Sequence, residues 1–78
     1  MNKNLEYVRT LAENNGVIQV RDILSGDIVF MRHASGAMAK YTVKNIENND
    51  GLYTISFDCG KVGVYGTHQN MRLHALAQ

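Results

Sequence analysis

Residues 26–74 alternate apolar and polar side chains in short runs, and turn sequences that end in glycine separate these runs. A repeat of two residues is the repeat of a β-strand, in which successive side chains point to opposite faces of a sheet. The three turns are Ser35–Gly36, Asn49–Gly51 and Cys59–Gly60. Short alternating runs joined by tight glycine turns predict consecutive antiparallel hairpins.

The length of each turn decides which residues of neighbouring strands lie opposite each other. We place two-residue turns at Ser35–Gly36 and Cys59–Gly60, and a three-residue turn with a left-handed glycine at Asn49–Gly51. The predicted pairs are Phe30 with Tyr41, Ile28 with Val43, Val43 with Phe57, Asn45 with Ile55, Phe57 with Val62, and Ile55 with Val64. The predicted core face therefore comprises Ile28, Phe30, Tyr41, Val43, Tyr53, Ile55, Phe57, Val62 and Val64, and a last strand adds Met71 and Leu73.

The opposite face of the predicted sheet is mixed in character. It carries Val29, Met31, His33, Met38, Lys40, Thr42, Lys44, Thr54, Ser56 and Tyr65. The end formed by Val29, Met31, Met38 and Tyr65 is too apolar to face water without a cover. Two interpretations remain open: the N-terminal helix covers this end, or a partner molecule binds it.

The N-terminal helix is predicted over residues 4–14. Leu5, Val8, Leu11 and Ala12 recur at helical spacing, and Asn15–Gly16 is a helix stop signal. A strand is predicted to follow at residues 17–20. A competing interpretation takes residues 5–24 as the first two helices of a winged helix, but a strand pattern stands where the recognition helix should begin.

The 78 residues are enough for one domain, residues 1–78, and a 45% apolar content supplies a thin core. The predicted fold class is α+β, mainly β. A short N-terminal helix precedes a four- to five-stranded antiparallel meander at 26–74, curled into a small barrel. The lone cysteine, Cys59, adds no internal disulfide.

The opening Gly26–Val29 and the segment Gly66–Asn70 before Met71 resemble the strand plan of small Src-homology-type β-barrels, such as Tudor and KOW modules. The helix-then-barrel order also resembles that of Sm-like RNA-binding proteins. The resemblance covers residues 26–74 and implies topology alone. The chain lacks the aromatic cage of Tudor modules and has no tryptophan, so no family binding residue transfers to it.

No set of side chains here has the spacing of a catalytic, metal or cofactor site. Cys59 has no local activating signature, and the cysteine and the three histidines lack the paired spacing of zinc modules. The glycines Gly60, Gly63 and Gly66 do not link a strand to a helix, so they are not a phosphate loop. We therefore expect no enzyme activity, no metal and no cofactor.

Two binding functions remain open. The first is a protein-binding module that engages a partner through an exposed apolar and basic sheet face, by analogy of size with phage-encoded inhibitors of host complexes such as anti-CRISPR proteins. The second is a nucleic-acid-binding small β-barrel that uses Arg32, Lys40, Lys44 and Arg72. The predicted partner-binding residues are Met31, Arg32, His33, Met38, Lys40, Lys44, Tyr65 and Arg72.

The formal net charge of +1 does not predict a highly charged partner. A second copy of the chain is a further candidate partner. The polar N-terminal residues and the absence of a long apolar run predict neither a signal peptide nor a membrane partner, and a cytoplasmic location is expected.

Overall fold

The structure is a computed structural model that describes residues 3–77. In this part of the chain, one α-helix and six strands follow one another: α1 Lys3–Asn15, β1 Val17–Gln19, a 3-10 turn Val20–Asp22, β2 Ile28–Arg32, β3 Met38–Asn49, β4 Leu52–Phe57, β5 Val62–Gly66 and β6 Asn70–Ala75. The mainly β class and the N-terminal helix are confirmed. Within residues 3–77, no helix is long and apolar enough to cross a membrane.

Helix α1 ends because Gly16 adopts a left-handed conformation, with φ +73°. The Gly16 N–H donates to the carbonyl oxygen of Ala12 at 2.8 Å and closes the last turn. The chain then enters β1, which pairs with β6. The winged-helix interpretation is therefore wrong, since a strand and a 3-10 turn occupy residues 17–22.

The six strands form one antiparallel sheet in the order β1-β6-β2-β3-β4-β5. The sheet is not closed, so the predicted barrel is wrong in this respect. Strand β3 pairs with β2 on one side and with β4 on the other. The register of its pairing with β4 shifts between Val43 and Asn45. This bulge at Lys44 inserts one extra residue, which bends a strand and increases its twist.

All three hairpin turns differ by one residue from the prediction. The turns at residues 34–36 and 58–60 are three-residue loops that end in a left-handed glycine, Gly36 with φ +93° and Gly60 with φ +92°. The His33 N–H donates to the Ala37 carbonyl at 2.7 Å and closes the first of these loops. The middle turn is instead the two-residue Asp50–Gly51, with positive φ at both residues, as a type I′ turn requires.

A one-residue change in register moves every side chain of a strand to the other face. Val29 now lies opposite Tyr41 and is fully buried, whereas Phe30 lies opposite Lys40. In β5, Val62 and Val64 point outward and remain 59% and 62% exposed. The predicted core positions of Ile28, Phe30, Val62 and Val64 are wrong for this single reason.

The prediction for β4 survives because the Lys44 bulge compensates for the altered turn. Val43 lies opposite Phe57 as predicted, but beyond the bulge Ile46 replaces Asn45 as the partner of Ile55. The buried core comprises Ala12, Ile18, Val20, Ile23, Val29, Val43, Ile55, Phe57, Met71 and Leu73. Tyr41 and Tyr53 are half-buried and pack against it. Helix α1 contributes Ala12 to this core, so it lies on the inner face of the sheet.

A buried ion pair holds α1 against the start of β2. Arg9 donates two hydrogen bonds of 2.7 Å to the carboxylate of Asp27, one to each oxygen. The same carboxylate accepts from the backbone N–H groups of Leu24 and Ala77, each at 2.8 Å. Burial alone raises the pKa of Asp27, but these hydrogen bonds outweigh it and hold the pKa below its ordinary value.

Candidate functional site

The outward side of β1, β6, β2 and residues 38–42 of β3 forms a surface that we call the outer face. Val17 pairs with Arg72, Arg72 pairs with Phe30, and Phe30 pairs with Lys40. Directly paired residues share one side of a sheet, so these four side chains form a row across four strands. The row lies opposite the core, because the neighbouring pairs Ile18–Met71 and Val29–Leu73 are buried.

The charge on the outer face has one sign. Arg32, Lys40 and Arg72 are all exposed, and the strand segments that carry them contain no Asp or Glu. All seven acidic residues of the chain lie elsewhere: Glu6, Glu13, Asp22, Asp27, Glu47, Asp50 and Asp58. Although the net charge is only +1, the acidic residues are on other segments than the outer face. Three cations therefore share this surface without an acidic residue on its strand segments.

An aromatic pair lies among these cations. The rings of Phe30 and His74 are 5.1 Å apart between centroids, with their planes 76° apart. Phe30 is half-buried and contributes nothing to the core, and His74 is exposed. An aromatic ring beside Lys and Arg side chains provides both a stacking surface and charge for an anionic ligand.

The structure brings four of the eight predicted partner-binding residues together on the outer face. Arg32 and Met38 form one cross-strand pair, and Lys40 and Arg72 flank Phe30. Met38 is 48% exposed. The Arg32 guanidinium also donates to the Gly36 carbonyl at 3.1 Å, which steadies it at the end of β2.

The other four predicted residues lie apart from this group. His33 is exposed in the β2–β3 loop beside Ser35, and Lys44 is exposed at the β3 bulge. Met31 and Tyr65 are half-buried and pack against the core, and the Tyr65 hydroxyl donates to the Met31 sulfur at 3.4 Å. Because Val29 is fully buried as well, the apolar surface predicted around Val29, Met31 and Tyr65 does not exist.

The predicted register places Phe30 in the core, and the predicted partner-binding residues do not include His74. A signal for the correct register is present in the sequence, since Gly36 and Gly60 can each stand third in a three-residue loop, as they do in the structure. That is the position where a type I turn followed by a left-handed residue requires glycine. Applying this loop type at Gly36 places Phe30 outward, and applying it at Gly60 places Val62 and Val64 outward.

A groove between α1 and β1 is the second surface of interest. Val8, Leu11 and Val17 line it and are 38%, 42% and 44% exposed. Its volume is about 290 Å³. Among the described residues, the side-chain oxygen Oε1 of Gln19 is the one buried side-chain polar atom that accepts no hydrogen bond. A buried acceptor of this kind costs free energy until a donor reaches it.

A third cleft, of about 660 Å³, opens between the β2–β3 and β4–β5 loops. His33, Tyr41, Cys59 and Lys61 line it, and the Lys61 ammonium lies 5.9 Å from the centre of the Tyr41 ring. Across residues 3–77, no three His, Cys, Asp or Glu side chains come close enough together to hold a metal ion. Cys59 is exposed and free.

Comparison of the chain with protein-family models, with curated proteins and with solved structures finds no match.

Proposed function

We propose that this protein is a non-catalytic binding module that holds a nucleic acid on the outer face. The observation that carries the proposal is the row of Arg72, Phe30 and Lys40 across three neighbouring strands. Cations on both sides of an aromatic ring match the chemistry of a nucleic acid, which offers phosphates and flat bases in alternation. The absence of acidic residues from these strand segments supports the same ligand, because no carboxylate repels a phosphate there.

The number of cations sets the expected salt dependence. If Arg32, Lys40 and Arg72 each contact one phosphate of a single strand, the logarithm of the binding constant falls with the logarithm of salt concentration with a slope of about −2. Raising the salt from 50 to 200 mM then weakens binding by roughly 20-fold. Association through apolar contacts shows no such dependence.

The test is a titration of a fluorescein-labelled oligonucleotide, followed by anisotropy. Replacing Lys40 and Arg72 together by glutamine should weaken binding. It should also make the salt slope less negative, by the contribution of two phosphate contacts. Arg21→Gln is the matched control, because Arg21 is exposed and lies on the 3-10 turn, outside the strand segments that form the outer face. Binding that is unchanged in the double variant, or that polyglutamate displaces as well as an oligonucleotide does, contradicts the proposal.

A protein partner is the second candidate function, and the groove between α1 and β1 favours it. Its three exposed apolar side chains lie beside the orphan Gln19 oxygen and the free edge of β1. An extended segment of a partner that lies along β1 would bury the apolar side chains and bring a backbone N–H to Gln19.

The two candidates separate in a capture experiment from nuclease-treated lysate. Leu11→Glu should abolish capture of a protein that uses the α1–β1 groove, whereas Lys40→Gln with Arg72→Gln should leave it intact. Because Leu11 is 42% exposed, the substitution leaves the fold in place, and circular dichroism checks this. Equal capture by all variants rules out the groove.

A further inference from the structure

We infer that the ligand of the outer face is single-stranded, with one base stacked on the Phe30–His74 pair and the adjoining phosphates held by Arg72 and Lys40. This inference rests on the proposed function and narrows it from nucleic acid in general to an unpaired strand. The pairing of Phe30 with both Arg72 and Lys40 sets the ring at the centre of the arrangement.

The position of the ring favours stacking over a purely electrostatic contact. Neighbouring strands lie about 4.8 Å apart, so the backbones that carry Arg72 and Lys40 are about 10 Å apart with Phe30 midway. The long, flexible side chains of both cations reach phosphates on either side of a base that lies over the ring. Because the planes of Phe30 and His74 are 76° apart, a base that stacks on one ring meets the other edge-on.

The outer face is too wide to enter the major groove of a duplex and contact its bases. Four strands span about 14 Å between the outermost backbones, before side chains are added. The major groove of B-form DNA is about 12 Å wide and admits one helix or a two-stranded ribbon. A duplex therefore meets this face through its phosphates alone, and its paired bases never reach Phe30. Unpaired bases are free to stack on an aromatic side chain.

The chain contains no tryptophan, so Phe30→Trp introduces a unique fluorophore at the proposed stacking position. The probes are a twelve-residue oligothymidylate, an abasic strand of the same length, and a twelve-base-pair duplex. Oligothymidylate should quench the fluorescence of Trp at position 30, and the abasic strand and the duplex should not. Tyr7→Trp is the matched control, since Tyr7 is 67% exposed on α1 and should show no quenching with any probe.

A second variant measures the contribution of the ring to affinity. Phe30→Leu keeps an apolar side chain but removes the stacking surface. Stacking of one base predicts a roughly 5- to 150-fold weaker affinity for oligothymidylate, with unchanged affinity for the abasic strand and the duplex. Tyr7→Leu should change none of the three affinities, and far-ultraviolet circular dichroism confirms that each variant is folded.

The outcomes distinguish this inference from the proposed function beneath it. If no probe binds, the proposed function itself is overturned. If the three probes bind equally, and Phe30→Leu changes nothing, nucleic-acid binding stands and the preference for a single strand is overturned. Quenching by oligothymidylate alone, together with selective weakening in Phe30→Leu, establishes the stacking contact.

Discussion

The replacement Asp27→Asn tests the ion pair that holds α1 on the sheet. Asp27 is fully buried, and its two carboxylate oxygens accept four hydrogen bonds: two from Arg9 and one each from the N–H groups of Leu24 and Ala77. Asparagine has one acceptor oxygen. Its NH₂ group, which is a donor, faces the N–H donors that bind the second carboxylate oxygen of Asp27. The substitution also leaves the Arg9 guanidinium buried without its counter-charge.

Breaking a buried pair by removing one partner costs about 3–5 kcal/mol. A chain of this length has a total stability of roughly 4–12 kcal/mol. The variant should therefore lose a large share of its free energy of unfolding. With a urea dependence of about 1 kcal/mol per molar, the unfolding midpoint falls by about 3 M or more. Circular dichroism during urea titration measures this shift directly.

The matched variant Arg9→Met separates the charge pair from the backbone hydrogen bonds. It removes the cation but leaves Asp27 the N–H groups of Leu24 and Ala77. We expect a smaller loss than in Asp27→Asn, and a double variant that loses less than the sum of the two. Additive losses, or a loss in Asp27→Asn below about 1 kcal/mol, would refute the account of the pair.

The pH dependence of stability supplies a second readout for the same pair. The native pKa of Asp27 lies below the ordinary value of 3.8, so the native state holds this proton less tightly than the unfolded state does. The stabilisation is complete above the unfolded pKa and disappears as the pH falls through the native pKa. Asp27→Asn should therefore remove part of the acid-induced loss of stability that the unsubstituted protein shows below about pH 4. An identical acid dependence in both proteins would count against the pair.

Three further predictions concern the register, one turn and one tyrosine. Val64→Lys should change the unfolding free energy by about 0.5 kcal/mol or less, whereas Val29→Lys should unfold the domain, because Val64 is 62% exposed and Val29 is fully buried; equal effects in urea titrations would disprove the register. Gly36→Ala should cost about 1–2 kcal/mol, because φ is +93° although nothing lies near the added Cβ, and an unchanged midpoint would speak against the three-residue loop. Burial raises the pKa of Tyr65, so Tyr65 should ionise above the ordinary value near 10. The stability associated with its proton should be lost as the pH rises through the native pKa. Alkaline absorbance titration of Tyr65→Phe against the unsubstituted protein identifies the Tyr65 signal among the four tyrosines.

The local content of the fold was predictable from the sequence. Alternation over residues 26–74 identified the strands, and the helical spacing of Leu5 to Ala12 with the stop at Gly16 identified α1. These signals are local because they depend on residues within one turn or one strand. Alternation within each strand did not place Arg32, Lys40 and Arg72 on one surface, because the predicted turns put Arg32 on the face of Phe30, opposite Lys40; the observed register brings the three cations together.

The location of the aromatic ring among these cations was not predictable with the turns chosen. Ser35–Gly36 accommodates a two-residue turn or the end of a three-residue loop, and the two choices place Phe30 on opposite faces. The Lys44 bulge then realigned β4 with the core, which no local pattern signals. The buried contact between Arg9 and Asp27 joins residues 18 positions apart and depends on how α1 docks.

The sequence by itself determined that the chain forms a short helix and alternating strands joined by glycine turns, because those preferences act within a few neighbouring residues. The tertiary structure decided which side of each strand is buried, because only the packing of strands against one another and against α1 selects a register. It also decided that three cations share one surface with Phe30 and His74, since residues from β2, β3 and β6 become neighbours only when the sheet assembles.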